Sequence, residues 1–250
     1  MKLLGLDTST KVATAAVIDG NRLVGETYLH TGNDHSQHLM PLIEGLLRQC
    51  QVQPKELTAI AVALGPGSFT GLRIGLATGK AFASALKIPL VGIPTLDGLA
   101  YNLAHAEGIV CPILDARKKQ VYTSIYSWNS SLNKMERHSD YLVIDPEELV
   151  SMMGQFTGED DNTIHFLGDG VPVYQNQLAN LLTGKEVKFA HLPNSLARAA
   201  QIAWLGIARL REGISDKELK NYHFLTPLYL RASEAEVNLQ LRQKANISGS

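Results

Sequence analysis

The 250-residue chain is 45% hydrophobic and 19% charged, enough apolar material for one or two packed cores, which excludes a disordered interaction peptide. Its 23 Lys and Arg stand against 24 Asp and Glu, a formal net charge of −1, so it is not expected to grip nucleic acid unaided. Its two cysteines, Cys50 and Cys111, cannot make a disulfide framework. Asp7 breaks the first apolar run too early for a signal-peptide core, and the runs at 60–64 and 202–208 are too short to cross a bilayer, so a soluble, cytoplasmic protein is expected.

Residues 3–7, 12–18 and 22–29 are short apolar, partly β-branched runs with Asp19-Gly20-Asn21 as a turn, predicting a three-stranded antiparallel meander. Leu39, Leu42, Ile43, Leu46 and Leu47 then recur at helical spacing, and Pro41 implies that regular helix begins only just before it. The run at 58–64 leads through Gly65-Pro66-Gly67-Ser68 into a helix marked by Leu72, Leu76, Ala83 and Leu86. A strand at 89–93 and a helix from Thr95 to His105 follow, so the first half reads βββαβα, with this strand and helix after it. The second half restates that order: a strand ends at Asp115 as the first ends at Asp7, 121–128 reads as one strand, and HFLGDG at 165–170 mirrors VALGPG at 62–67. A helix from Ser195 to Arg211 is expected to pack back on the first lobe. The division is a first lobe over 1–108, a second over 109–231, and a polar tail over 232–250 with no chemistry assigned.

The fold class expected is α/β: two ribonuclease-H-like βββαβα lobes facing each other across a cleft, as in actin-like ATPases and sugar kinases. In that arrangement Asp7, Gly65, Gly67, Asp115, Gly168 and Gly170 are candidates for a nucleotide cleft. The plainer reading makes the two aspartates turn caps, Ser68 a helix N-cap and the glycines turn formers; no Walker lysine follows. Gly71, Gly75 and Gly79 are spaced by four on one helix face at about 1 kcal/mol each in lost propensity, which suggests close approach of another helix at a shared interface. His35 and His38, near Asp34 and His30, lack a third ligand at fixed spacing, so no metal is expected. Arg117, Lys118 and Lys119 form the one basic cluster, read as a solvated turn with a phosphate or RNA contact as the sharper option.

LGLDTST at 4–10, HSQHLMPLIEGLL at 35–47, AVALGPGSFTGLRIGLATGKAFA at 61–83, IPTLDGLA at 93–100, ILDARKKQVY at 113–122 and PLYLR at 227–231 together resemble the TsaB (YeaZ) family. The resemblance implies a non-catalytic partner needed for threonylcarbamoylation of the adenosine beside the anticodon of tRNAs reading codons that start with adenine. It implies pairing with a TsaD-type paralogue, which holds a metal through H-x-x-x-H, a larger complex with a TsaE-type ATPase, tRNA contact through that complex, and a homodimer when alone. The stretch after IPTLDGLA has Tyr101 and His105 but no H-x-x-x-H, and no cofactor is expected. The family's pairing surface is its first two helices, which places Leu39, Leu42, Ile43, Leu46, Gly71, Gly75 and Gly79 at the interface, so Gly75→Leu is expected to block pairing while sparing the fold. The alternative is an independent ATP-dependent kinase-like enzyme of the same fold, with Asp7 or Asp115 as base; a peptidase ranks last because no nucleophile and base pair can be assembled.

Overall fold

In the computed structural model, which describes residues 1–32, 34–156, 163–213 and 222–231, β1 (Lys2–Asp7), β2 (Val12–Asp19) and β3 (Arg22–His30) form the expected meander. Gly20 turns the second hairpin at φ +60°, a conformation glycine adopts without strain. α1 (His35–Gln49), β4 (Ala59–Gly65), α2 (Phe69–Leu86), β5 (Leu90–Pro94) and α3 (Thr95–Ala100) follow. β4 and β5 join β1 in parallel, giving the order β3-β2-β1-β4-β5.

The second half comprises β6 (Ile109–Asp115), β7 (Val121–Thr123), β8 (Tyr126–Asn129), β9 (Lys134–Arg137), β10 (Leu142–Ile144), α4 (Pro146–Met153), β11 (Thr163–Leu167), α5 (Val171–Leu181) and β12 (Glu186–Phe189). Its order β10-β7-β6-β11-β12 repeats the first sheet position for position, with the β8–β9 hairpin added. α6 (Leu192–Ser195) and α7 (Ala199–Arg211) close the regular structure. Among the described residues no helix is long and apolar enough to cross a membrane. The polar tail over 232–250 lies outside the described residues.

Three local expectations are corrected. α1 begins at His35, well before Pro41, because the missing proline N–H frees only the carbonyl of Gln37, an exposed residue that water can satisfy. The strand at 121–128 is interrupted at Ser124-Ile125, although its register along β6 does not change: Ile113 faces Thr123 and Val110 faces Tyr126. Pro112 sits opposite this gap with no N–H to offer, and the Ile125 N–H leaves the β6 ladder to donate to the Ser139 hydroxyl at 3.0 Å. The helix from Thr95 ends at Ala100 in a 3-10 turn, and the one expected from Ser195 starts at Ala199, since Arg198 before it is extended at φ −124°.

The two faces of each sheet follow the period of two. Leu4 and Leu6 of β1 with Ile60 and Val62 of β4 pack under α1 against Leu39, Ile43 and Leu46. Leu3, Ala59, Ala61 and Ala63 point the other way, onto Ile202, Ala203 and Ile207 of α7. In the second sheet Ile109, Cys111 and Ile113 face α4 and α5, whereas Val110 and Leu114 face Leu96, Leu99 and Ala100 of α3. The lobes therefore exchange helices: α3, from the first half, covers the second sheet, and α7, from the second half, covers the first. Asp97 of α3 secures one exchange by accepting from the hydroxyls of Tyr126 at 2.7 Å and Tyr141 at 2.9 Å. Glu26 of β3 secures the other, bonding Arg198 at 2.7 Å and accepting the Ala200 N–H at 2.9 Å at the start of α7.

Candidate functional site

Asp7 ends β1 and is 1% exposed. Its Oδ1 accepts the Ser9 N–H at 2.8 Å, and burial pushes the carboxyl up to about 6. The turn that follows is pressed against the start of α2: the Thr8 hydroxyl donates to the Gly71 carbonyl at 2.7 Å, and the Ser68 N–H donates to the Ser9 carbonyl at 2.6 Å. Ser68 caps α2 as the plainer reading had it, accepting the Gly71 N–H at 3.2 Å.

This packing explains the glycine stripe and corrects its assignment. Gly71, Gly75 and Gly79 are buried and turned inward. A Cβ on Gly71 or Gly75 would strike Thr8, and one on Gly79 would come within 3.1 Å of Leu90. Gly75→Leu would therefore attack the first lobe itself, contrary to the expectation that it spares the fold. Leu39, Ile43 and Leu46 are likewise core, and Leu42 is half-buried against the same cluster. The residues expected to meet a partner fill their own lobe, because the sheet needs that apolar face.

The cleft glycines are engaged in the same way. A Cβ on Gly65 would meet the Leu228 carbonyl oxygen at 2.9 Å, and one on Gly67 would strike the Ser9 carbonyl. Gly168 and Gly170 both lie against the Ile113 carbonyl, to which Gly170 donates its N–H at 3.1 Å. At these four positions the close backbone approach that glycine permits is made to the chain itself.

Residues 222–231 form a strap between the lobes. Tyr222 and Leu225 pack on the first core, and the Lys80 ammonium donates to the His223 carbonyl at 2.9 Å. The Leu228 N–H donates to the Leu64 carbonyl at 2.7 Å. Tyr229 stacks on Phe69 with ring centroids 4.3 Å apart and accepts from Arg73 Nε at 2.9 Å, while the Arg73 guanidinium lies 4.0 Å over the Phe69 ring. Arg231 reaches the second lobe, donating to the Ala116 carbonyl at 3.1 Å and to the Gln120 side chain. Reading the sequence missed this strap: PLYLR carried the resemblance without an assigned role, and nothing in its spacing reveals a long-range tie.

Asp115, the counterpart of Asp7, is exposed. Its Oδ1 accepts from the Arg117 N–H at 2.9 Å and the Tyr174 hydroxyl at 3.2 Å, and its own N–H donates to Asp169 at 3.1 Å. The sequence also missed Asp169, whose carboxyl burial pushes up. His35 is buried with both ring nitrogens engaged, Nε2 on the Thr10 carbonyl at 2.8 Å and Nδ1 on the Thr31 hydroxyl at 2.8 Å. A carbonyl can only accept, so Nε2 carries the proton and Nδ1 accepts from Thr31; burial lowers the pKa. His38 is exposed and does not join it. Among the described residues no three His, Cys, Asp or Glu come together in a metal-holding group.

Residues 30–239 match the family model described as TsaD, tRNA N6-adenosine threonylcarbamoyltransferase. The chain is 31% identical over 244 residues to the tRNA threonylcarbamoyladenosine biosynthesis protein TsaB of Bacillus subtilis, covering 98% of this chain and all of that one. It is 28% identical to the TsaB of Haemophilus influenzae, over 92% of this chain and 94% of that one. Among solved structures it is similar to YeaZ from Pseudomonas aeruginosa, with a TM-score of 0.72 and 26% identity over 92% of this chain and 99% of that chain. ROK hexokinase from Thermus thermophilus, at a TM-score of 0.50 and 14% identity over 84% of this chain and all of that one, shares the fold alone. The two-lobed fold of actin-like ATPases and sugar kinases is thus the one this chain adopts.

Proposed function

Because the chain belongs to the TsaB (YeaZ) family and to the biosynthesis of tRNA threonylcarbamoyladenosine, we propose that it serves that pathway as a non-catalytic subunit. It pairs with a TsaD-type paralogue that transfers the group, works with a TsaE-type ATPase, and meets tRNA through the assembled complex. The observation that carries this reading is the packing at the lobe mouths, where the Ser9 and Leu228 carbonyls fill the space beside Gly67 and Gly65 and Asp7 is enclosed. A first-lobe turn packed on its own backbone with its carboxylate enclosed suits a scaffold better than a phosphoryl-transfer site, which needs a carboxylate in reach of the nucleotide.

The pairing surface, implied by the resemblance to be α1 and α2, falls on their outer faces. Met40 is 50% exposed, and Ala77 and Ala81 stand exposed one turn apart on α2, where small side chains let another helix approach closely. The same surface pairs two copies when the paralogue is absent. The test is co-expression of the full chain with its TsaD-type paralogue, with and without Ala77→Glu and Ala81→Arg. Near-equal recovery of both proteins, lost in the double variant while its melting temperature holds, is expected. Recovery of the wild-type chain alone, with ATP turnover abolished by Asp7→Asn, would establish the kinase-like enzyme instead.

A further inference from the structure

We propose that the turn Arg117-Lys118-Lys119 is a contact for the sugar–phosphate backbone of RNA, an inference that rests on the tRNA-modification reading above. All three side chains are exposed, and none makes an ion pair among the described residues. All three residues are left-handed in succession, at φ +59°, +51° and +62°. That conformation costs a non-glycine residue roughly 1–2 kcal/mol, so the surroundings must impose it.

They do so from three sides. Within the turn the Arg117 N–H donates to Asp115, and the Ala116 and Gln120 N–H groups donate to the Gln120 and Arg117 carbonyls at 3.0 Å each. From α5, the Tyr174 hydroxyl shares its one proton between the Gln120 carbonyl and Asp115 Oδ1, each 3.2 Å away. From the strap, Arg231 holds the Ala116 carbonyl and the Gln120 side chain. These contacts fix the backbone from which the three exposed cations project.

Charge and lack of apolar surface select the partner. Ala116 and Val121, which flank the turn, are buried, so it offers cations without the apolar centre a protein interface needs. Lys11 adds a positive charge that acts on Asp169 beside Asp115. Asp145 and Glu147 line one groove with Lys118 and Lys119, yet among the described residues neither forms an ion pair with them; each is held by a neutral donor, Asp145 accepting the Glu148 N–H at 2.8 Å and Glu147 accepting from Gln177 at 2.7 Å. A phosphate backbone, read by point charges, fits this surface better than an acidic protein does.

The experiment measures tRNA binding across a salt series by the complex of the full chain with its TsaD-type paralogue, for wild type and for R117Q/K118Q/K119Q. The triple variant is expected to assemble normally and melt as wild type does. Its tRNA affinity should fall about tenfold or more near 0.1 M salt, with a salt slope shallower by roughly 2, since each lost phosphate contact removes roughly 0.7–0.9. Arg117→Lys, which keeps the charge, should bind as wild type does. Unchanged affinity and slope in an intact complex would overturn the proposal, as would loss of the paralogue from the triple variant, which would make the turn a protein contact. A wild-type chain that fails to pair with the paralogue would instead overturn the parent reading, and this inference with it.

Discussion

In the first lobe the turn after β1 lies beneath the start of α2, with Asp7 enclosed and Thr8 bonded to Gly71. In the second lobe the corresponding turn after β6 stands in solvent, with Asp115 exposed and three basic residues held left-handed by Tyr174 and Arg231. The strand order is the same in both, and so is the strand-Asp-turn pattern. The difference lies in what covers each turn. Glycines at 67, 71 and 75 let α2 settle onto the first turn, whereas α5 touches the second through the Tyr174 hydroxyl. A duplicated template has thus become a packing seam in one lobe and a presented surface in the other.

The sharpest way to break this comparison is to restore bulk at the seam. Gly75→Leu places a side chain into Thr8, and overpacking in so tight a site is expected to cost more than about 3 kcal/mol, leaving little folded protein after expression. Gly45→Ala on α1, where nothing lies within 4 Å of the added Cβ, should instead raise stability by up to about 1 kcal/mol. Thermal melts of the two variants measure the contrast, and a stable, folded Gly75→Leu would refute the seam.

Next in size is the anchor between the halves. Glu26→Ala leaves Arg198 without its carboxylate and the Ala200 N–H without an acceptor, an expected loss of about 3 kcal/mol in urea unfolding. A loss below about 1 kcal/mol would mean that α7 is held by its apolar contacts alone.

The smaller test compares the paired aspartates directly. Burial holds the folded Asp7 pKa near 6, above its ordinary value of 3.8, so its contribution to stability is full below about pH 4 and is lost as pH rises through 6. Asp7→Asn should remove that loss, raising stability near neutral pH by about 2–3 kcal/mol and changing the pH profile between 4 and 6. His35 acts in the opposite direction: its lowered folded pKa means stability is lost as pH falls below about 6.5, and this term is common to both proteins. Asp115→Asn, at an exposed site, should shift stability by no more than about 0.5 kcal/mol. Equal effects of the two substitutions in pH-dependent unfolding would erase the distinction between the lobes.

The strands of the first lobe were legible because each reads as a short apolar run between turn residues, and β1 to β5 fall within about a residue of the expected bounds. The duplication was legible for the same reason, through the repeated strand-Asp and Leu-Gly-x-Gly order. The break at Ser124-Ile125 was not, because the missing N–H belongs to Pro112 on another strand. The glycine stripe was read correctly as a place of close approach, but the approaching group is Thr8 of the same lobe. Periodicity says which residues share a helix face; it does not say which way the face turns.

Local pattern alone therefore determined the order of elements in the first half and the duplicated two-lobed plan, and long ordered motifs carried the family resemblance, since these depend on neighbours along the chain. Only the tertiary structure decided that α3 reaches across to the second sheet, that a strap ties Leu64 to the β6–β7 turn, and that the basic turn is left-handed. Each of these depends on contacts between residues far apart in sequence, Asp97 with Tyr141 or Gln120 with Arg231, whose partners acquire a fixed distance only once both sheets have formed.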